Sequence, residues 1–249
     1  MKIFQGKKRS KVPALALGMM AMVTVSIIGT IAYLTDQASA VNTFTIGQVD
    51  ISLDETKVSS DGTTFDGDND GMPDRTDKGN EYHLLPGGEY TKDPTVTVAA
   101  GSETSHIRMI LTIHNASAVQ AIIDDEKNGL ADYADLLGGW DDTTWLYQGF
   151  TENAEENTIS FEFRYKETVD GFGDNGEKQA EALKPLFEKL IVPGTLTGDE
   201  LKALYGENGE FKIEVVAHAI QASGFTENAE TGVTAEDAAW AAFDAQGNK

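Results

Sequence analysis

From Asn42 onward the apolar residues alternate with polar ones. Phe44 and Ile46, then Val49, Ile51 and Leu53, are each separated by one polar residue, and a period of two predicts strand. The parity changes at Gly47-Gln48, where a one-residue slip at a glycine predicts a β-bulge. Thr95–Ala99 and Ile107–Ile113 follow as strands. In the second, Ile107, Met109, Leu111 and Ile113 share one face, and Ile110 interrupts the polar face that carries Arg108 and Thr112. That strand is therefore expected to be partly covered on both sides. Trp145–Phe150, the series Ile159, Phe161, Phe163, Tyr165, and the series Phe211, Ile213, Val215, Ala217, Ala219 continue the pattern. The last is the longest clean alternation in the C-terminal half and predicts a central strand.

Three stretches switch to helical spacing. Ser117–Leu137 places Val119, Ile122 and Ile123 on one face, with Asn128-Gly129 as a break. Thr197-Gly-Asp-Glu200 has the spacing of a capping box and predicts a short helix to about Tyr205. Thr234 caps a last helix, Ala235–Phe243, with Trp240 and Phe243 on one stripe. Ser59–Asn80 and Asp170–Gly176 are Asp/Gly-rich and nearly devoid of apolar residues, so they read as loops, the first an acidic insertion between strands. Roughly seven or eight strands with short helices inserted in the connections predict a mainly β fold, a β-sandwich rather than an α/β layer fold.

The N-terminus has a different character. Lys2, Lys7, Lys8, Arg9 and Lys11 lead into the uncharged apolar run Val12–Ala32, the build of an export signal. A transmembrane anchor is the competing reading, because the run approaches the roughly 20 residues that cross a bilayer. Pro13, Gly18 and Gly29 dilute it, and small residues follow at Thr30-Ile31-Ala32 and at Ala38-Ser39-Ala40. Cleavage is expected, after Ala32 or after Ala40, leaving residues 33–249 as a single β-sandwich domain with the acidic loop 59–80 inserted and no stable membrane anchor.

Charge narrows the partners. The chain has 41 acidic and 19 basic residues, a formal charge of −22, and loss of the signal removes five basic residues and no acidic one. So anionic a surface argues against nucleic acid, whose binding requires Lys and Arg at phosphates, and against anionic membranes. It fits a self-repelling exported protein or one that recruits cations. The chain has no cysteine, which excludes disulfides and thiolate chemistry.

The sharpest chemical pattern is Asp66-Gly-Asp68-Asn-Asp70-Gly71-Met-Pro-Asp74-Arg-Thr-Asp77. Asp66, Asp68, Asp70, Asp74 and Asp77 bring hard oxygens to one loop, with Gly71 permitting a tight turn, which is what Ca²⁺ requires. Asp77 stands where an EF-hand has Glu, and no helices flank the loop. A solvated acidic loop is the alternative, since Asp, Gly and Asn are ordinary turn residues. His83, His106, His114 and His218 form no HExxH or HxH spacing, so no zinc-catalytic motif is present. The pairs Glu162/Glu167 and Asp141/Asp142 are expected by chance in so acidic a chain. Trp140, Trp145 and Trp240 can line a sugar-binding face or fill a core.

Several blocks resemble the TasA/camelysin family of exported Gram-positive proteins: Ala32-Tyr-Leu-Thr-Asp36 with Asn42-Thr-Phe44 and Gly47–Leu53, His83-Leu-Leu-Pro-Gly87 with Tyr90-Thr-Lys-Asp-Pro94, and Asp237–Phe243. The resemblance implies a jelly-roll β-sandwich, cleavage between Ala32 and Tyr33 by a dedicated signal peptidase, and assembly into extracellular biofilm-matrix fibres. It further implies that the N-terminal segment of one copy pairs as a strand with the next, with other matrix proteins as further partners. Phe44, Ile46, Val49 and Ile51 would supply the fit of that assembly strand. The same segment can equally be the first strand of its own sandwich. The camelysin branch implies a secreted metallopeptidase, for which this sequence offers no motif, and a carbohydrate- or host-binding surface module is a further alternative.

Overall fold

Twelve strands and a few short helices make up the described residues of this computed structural model, namely 35–39, 42–46, 49–206 and 209–247, with no side chains described for residues 35–46. They belong to one compact unit, Tyr33–Lys249. The segment 1–32 expected to direct export, the Ala32/Tyr33 junction, Ala40 and Gly47-Gln48 lie outside the described residues. Among the described residues no helix is long and apolar enough to cross a membrane.

The larger sheet has six antiparallel strands. They are β1 (Thr35–Ser39), β2 (Asn42–Ile46), β7 (Ser105–His114), β8 (Trp145–Asn153), β9 (Thr158–Tyr165) and β12 (Ile213–Gln221), in the order β2-β1-β12-β7-β9-β8. β12 is interior, as the alternation of its apolar residues predicts, and pairs with β7 from Ile213↔Ile113 to Gln221↔Ser105. Strand periodicity sends Ile107, Met109, Leu111 and Ile113 of β7 to the same side, where all four are fully buried. Phe161 and Phe163 of β9 and Ala217 and Ala219 of β12 extend this face.

A second sheet, β10-β6-β3-β4, comprises β3 (Ile51–Thr56), β4 (Arg75–Thr76), β6 (Thr95–Val98) and β10 (Glu181–Ala182). Its Ile51, Leu53, Val96 and Val98 belong to the same buried cluster as the inner face of the first sheet. A small ladder joins β5 (Glu89–Thr91) to β11 (Lys189–Ile191). The molecule is thus mainly β, built of antiparallel sheets with short helices between strands and one helix after the last strand.

Those helices are α1 (Ala116–Asp124), α2 (Tyr133–Leu136), α3 (Gly198–Tyr205) and α4 (Ala235–Gly247). The helix expected over Ser117–Leu137 is divided into α1, a 3₁₀ turn at Glu126–Asn128 and α2. Gly129, at φ +68°, ends the turn in the left-handed region where glycine is not penalised. The capping box of α3 forms: Thr197 Oγ1 accepts from Glu200 N, and Thr197 N donates to Glu200 Oε2 at 2.8 Å.

One expectation is corrected. The parity change at Gly47-Gln48 divides two strands of different sheets, β2 and β3, rather than marking a bulge within one strand. Phe44 and Ile46 belong to β2 of the larger sheet, whereas Val49 and Ile51 are buried in the core, the latter on β3 of the second sheet. A bulge occurs instead in β8, where the register shifts between Tyr147 and Gly149 and Gly149 adopts φ +139°.

Candidate functional site

The acidic loop leaves β3 and returns through β4, which pairs with Glu55–Thr56. Main-chain bonds close its base: Lys57 N donates to Asp74 O (2.7 Å), Phe65 N to Lys57 O (2.9 Å) and Asp74 N to Phe65 O (2.7 Å). Between Phe65 and Asp74 the chain turns tightly, with Asn69 at φ 59° and Gly71 at φ +87°. Carboxylates organise that turn. Asp66 Oδ2 accepts from Gly71 N, Asp74 Oδ1 from Gly67 N, Asp68 Oδ1 from Asp70 N and Asp70 Oδ1 from Met72 N.

The result is a convergence of Asp66, Asp68 and Asp74, each offering one carboxylate oxygen within 4.8 Å of the others. Asp70 and Asp77 stand outside this group. Asp70 holds the Met72 turn, and Asp77 lies past β4 beside the groove that Lys92 and Glu214 line. Asp66 Oδ1 is buried and has no hydrogen-bond partner. An orphaned carboxylate oxygen on a residue grouped with two further carboxylates is unfavourable without a counter-charge, and a hard dication supplies one. The donor set therefore fits Ca²⁺, with three protein carboxylates against the roughly six to eight oxygens that ion takes. Gly67 belongs to the same arrangement, since a Cβ there would stand 3.0 Å from Asp74 Oδ2 and 2.7 Å from Phe65 Cε1.

The N-terminal residues lie at one edge of the large sheet. β1 pairs with β12 from Thr35↔Ile220 to Ser39↔Val216, and β2 pairs with β1, setting Phe44 opposite Gln37 and Ile46 opposite Thr35. Val49 and Ile51 are core residues, 0% and 1% exposed, so an inter-subunit strand from this segment would draw on residues up to Ile46. β8 is the opposite edge. Its Leu146, Tyr147 and Phe150 are exposed, and Trp140 stacks on Tyr147 with centroids 5.8 Å apart.

Histidines and tryptophans are spread through the fold. His83 is exposed, His114 Nε2 meets Glu214 Oε2 at 2.7 Å, and His106 and His218 lie on the outer face of the large sheet near α4. Trp145 is core, its Nε1 donating to Lys184 O at 2.9 Å, and Trp240 is the buried tryptophan of α4, packed with Ile220 and Ala239. Glu162 accepts from Arg164, while Glu167 is exposed. Asp141 caps the turn before β8 through Thr143 and Thr144, whose hydrogen bonds hold its pKa down to about 2. Asp142 is exposed.

Sequence reasoning did not find the polar layer that docks α4. Arg108, 5% exposed, lies 4.6 Å from the Trp240 ring and 5.1 Å from Phe243, donates to His218 Nδ1 at 3.1 Å, and pairs with Asp244. Arg164 pairs with Asp237 at 2.6 Å. Burial, then the Arg108 charge, lowers the His218 pKa to about 4. The available signal was the pair of arginines on a strand face opposite the core, matched by acids one helical turn or two apart in α4.

No protein-family model, curated protein or solved structure matches the chain.

Proposed function

We propose that this protein is a secreted structural subunit of an extracellular matrix fibre, a jelly-roll-like sandwich that assembles by strand pairing of its N-terminal segment with the next copy. The observation that carries this reading is the β1–β2 hairpin. β1 and β2, residues 35–39 and 42–46, form one edge of the six-stranded sheet, and among the described residues β1 is the strand that pairs with that side of β12. Main-chain pairing is indifferent to which copy supplies the strand, so the same ladder can be donated by a neighbour. The charge supports it as well: copies this acidic repel each other, and a hydrogen-bonded ladder is a contact that does not rely on charge. Calcium held by Asp66, Asp68 and Asp74 would stiffen the loop beside β3 and reduce that repulsion.

Negative-stain microscopy of the exported chain with and without residues 33–46 tests the proposal. Fibres from the former and none from the latter are expected. A monomer at every concentration, calcium included, overturns it. A second reading, a carbohydrate-binding surface module, is favoured by the exposed rings of Tyr147 and Phe150 on β8, the first stacked on the half-buried Trp140, and a glycan array separates the two.

A further inference from the structure

The inner face of β3 carries an unexpected residue. Alternation buries Ile51, Leu53 and Glu55 together, and the third of these is charged. Glu55 Oε2 meets Lys92 Nζ at 2.7 Å, with both side chains nearly enclosed, 8% and 10% exposed. Its other oxygen, Oε1, accepts from Asn80 Nδ2 at 2.9 Å. One buried carboxylate thus bridges an amine and a carboxamide. The carboxamide is itself fixed: Asn80 Nδ2 also donates to Thr56 O at 2.8 Å, and Asn80 Oδ1 accepts from Val58 N at 2.9 Å. Tyr82 walls the site. Its hydroxyl donates to Thr91 O at 2.8 Å, its ring meets Tyr90 edge-on at 5.8 Å, and burial followed by the Glu55 charge raises its pKa.

A buried ion pair is a poor device for stability, since apolar side chains of similar volume serve as well or better. This one has the parts of an acyl transfer: a nucleophile, a proton carrier on both reactants, an electrophilic carbonyl, and a main-chain N–H aimed at the oxygen where charge would develop.

We propose that Lys92 and Asn80 form an intramolecular isopeptide bond, with Glu55 moving the protons. In the enclosed site the ammonium passes a proton to the Glu55 carboxylate, because two neutral groups are less costly to bury than two charges. The Lys92 Nζ lone pair attacks Asn80 Cγ, and Val58 N–H stabilises the oxygen of the tetrahedral intermediate. Glu55 gives its proton to the departing Asn80 nitrogen and takes one from Lys92 Nζ. The Cγ–Nδ2 bond breaks, the Cγ–Nζ amide remains, and ammonia leaves. Glu55 ends as a neutral carboxylic acid beside a neutral amide, so all atoms and charges are accounted for, and no oxidant or cofactor takes part. The bond would tie the end of the acidic loop to the residue that follows β5.

Intact-mass spectrometry of the folded chain, its N-terminus first determined by sequencing, tests this. The expected mass is about 17 Da below that of the sequence, one ammonia. Proteolysis should yield a linked pair of peptides containing Lys92 and Asn80. Lys92→Arg and Glu55→Gln should each restore the full mass. A wild-type mass equal to the sequence mass, on protein whose circular dichroism shows it folded, overturns the proposal. So does a deficit that persists in Lys92→Arg, because cyclisation of an asparagine onto its own backbone also releases ammonia. If Glu55→Gln fails to fold, the wild-type mass and Lys92→Arg still decide.

Discussion

Asp66 Oδ1 is where the acidic loop is least comfortable, a buried acceptor with no donor among like charges. The alternate-residue spacing made the loop legible in the sequence. It did not show which carboxylates converge, because that depends on Gly67, Asn69 and Gly71 folding the turn and on Asp70 being taken up by Met72 N. Asp68→Ala and Asp74→Ala are therefore expected to weaken calcium binding about tenfold or more in titration calorimetry, about 1.4 kcal/mol. Asp70→Ala should have a clearly smaller effect. His218 gives a pH dependence. Folding lowers its pKa from 6.5 to about 4, so the unfolded chain binds the proton more readily. The stability it contributes is complete above about pH 6.5 and is lost as pH falls toward 4, at no more than about 1.4 kcal/mol per pH unit. His106, its pKa also lowered by burial, acts in the same direction. Thermal unfolding across that range should show the decline, and His218→Gln should flatten it.

Among the elements, strands with clean alternation were readable and short ones were not. β7, β9 and β12 each carry one continuous core-facing row, from which their periodicity follows, and β7 and β12 are partly covered on the other face as well, at Arg108 and Ile220 under α4. β4, β5, β10 and β11 have two or three residues apiece, too few for a period to register. β1 carries Thr-Asp-Gln-Ala-Ser, with no apolar signal, and is a strand because β12 and β2 flank it. The caps were legible because each is a local exchange of hydrogen bonds. Thr197→Ala should cost about 1 kcal/mol in urea unfolding, since it leaves the Glu200 N–H of α3 without its partner.

At the scale of the molecule, the β class was legible from alternation alone, whereas the assignment of strands to two sheets was not. Only tertiary pairing shows that β2 and β3 belong to different sheets rather than to one bulged strand. A chain lacking residues 33–46 leaves β12 as an exposed edge and is expected to unfold at lower temperature. A synthetic peptide of those residues, added in trans, should bind and restore the midpoint. A truncated chain indifferent to the peptide would show that the hairpin is dispensable to the sheet. The pairing of Thr35 with Ile220 also sets an order of events. A chain that emerges N-terminus first presents β1 long before β12 exists, so this ladder is among the last to close, and high contact order makes it slow. Under the proposed assembly, a neighbour whose β12 edge is still open would capture the waiting strand during that delay, and monomer and polymer would be the two outcomes of a contest of rates.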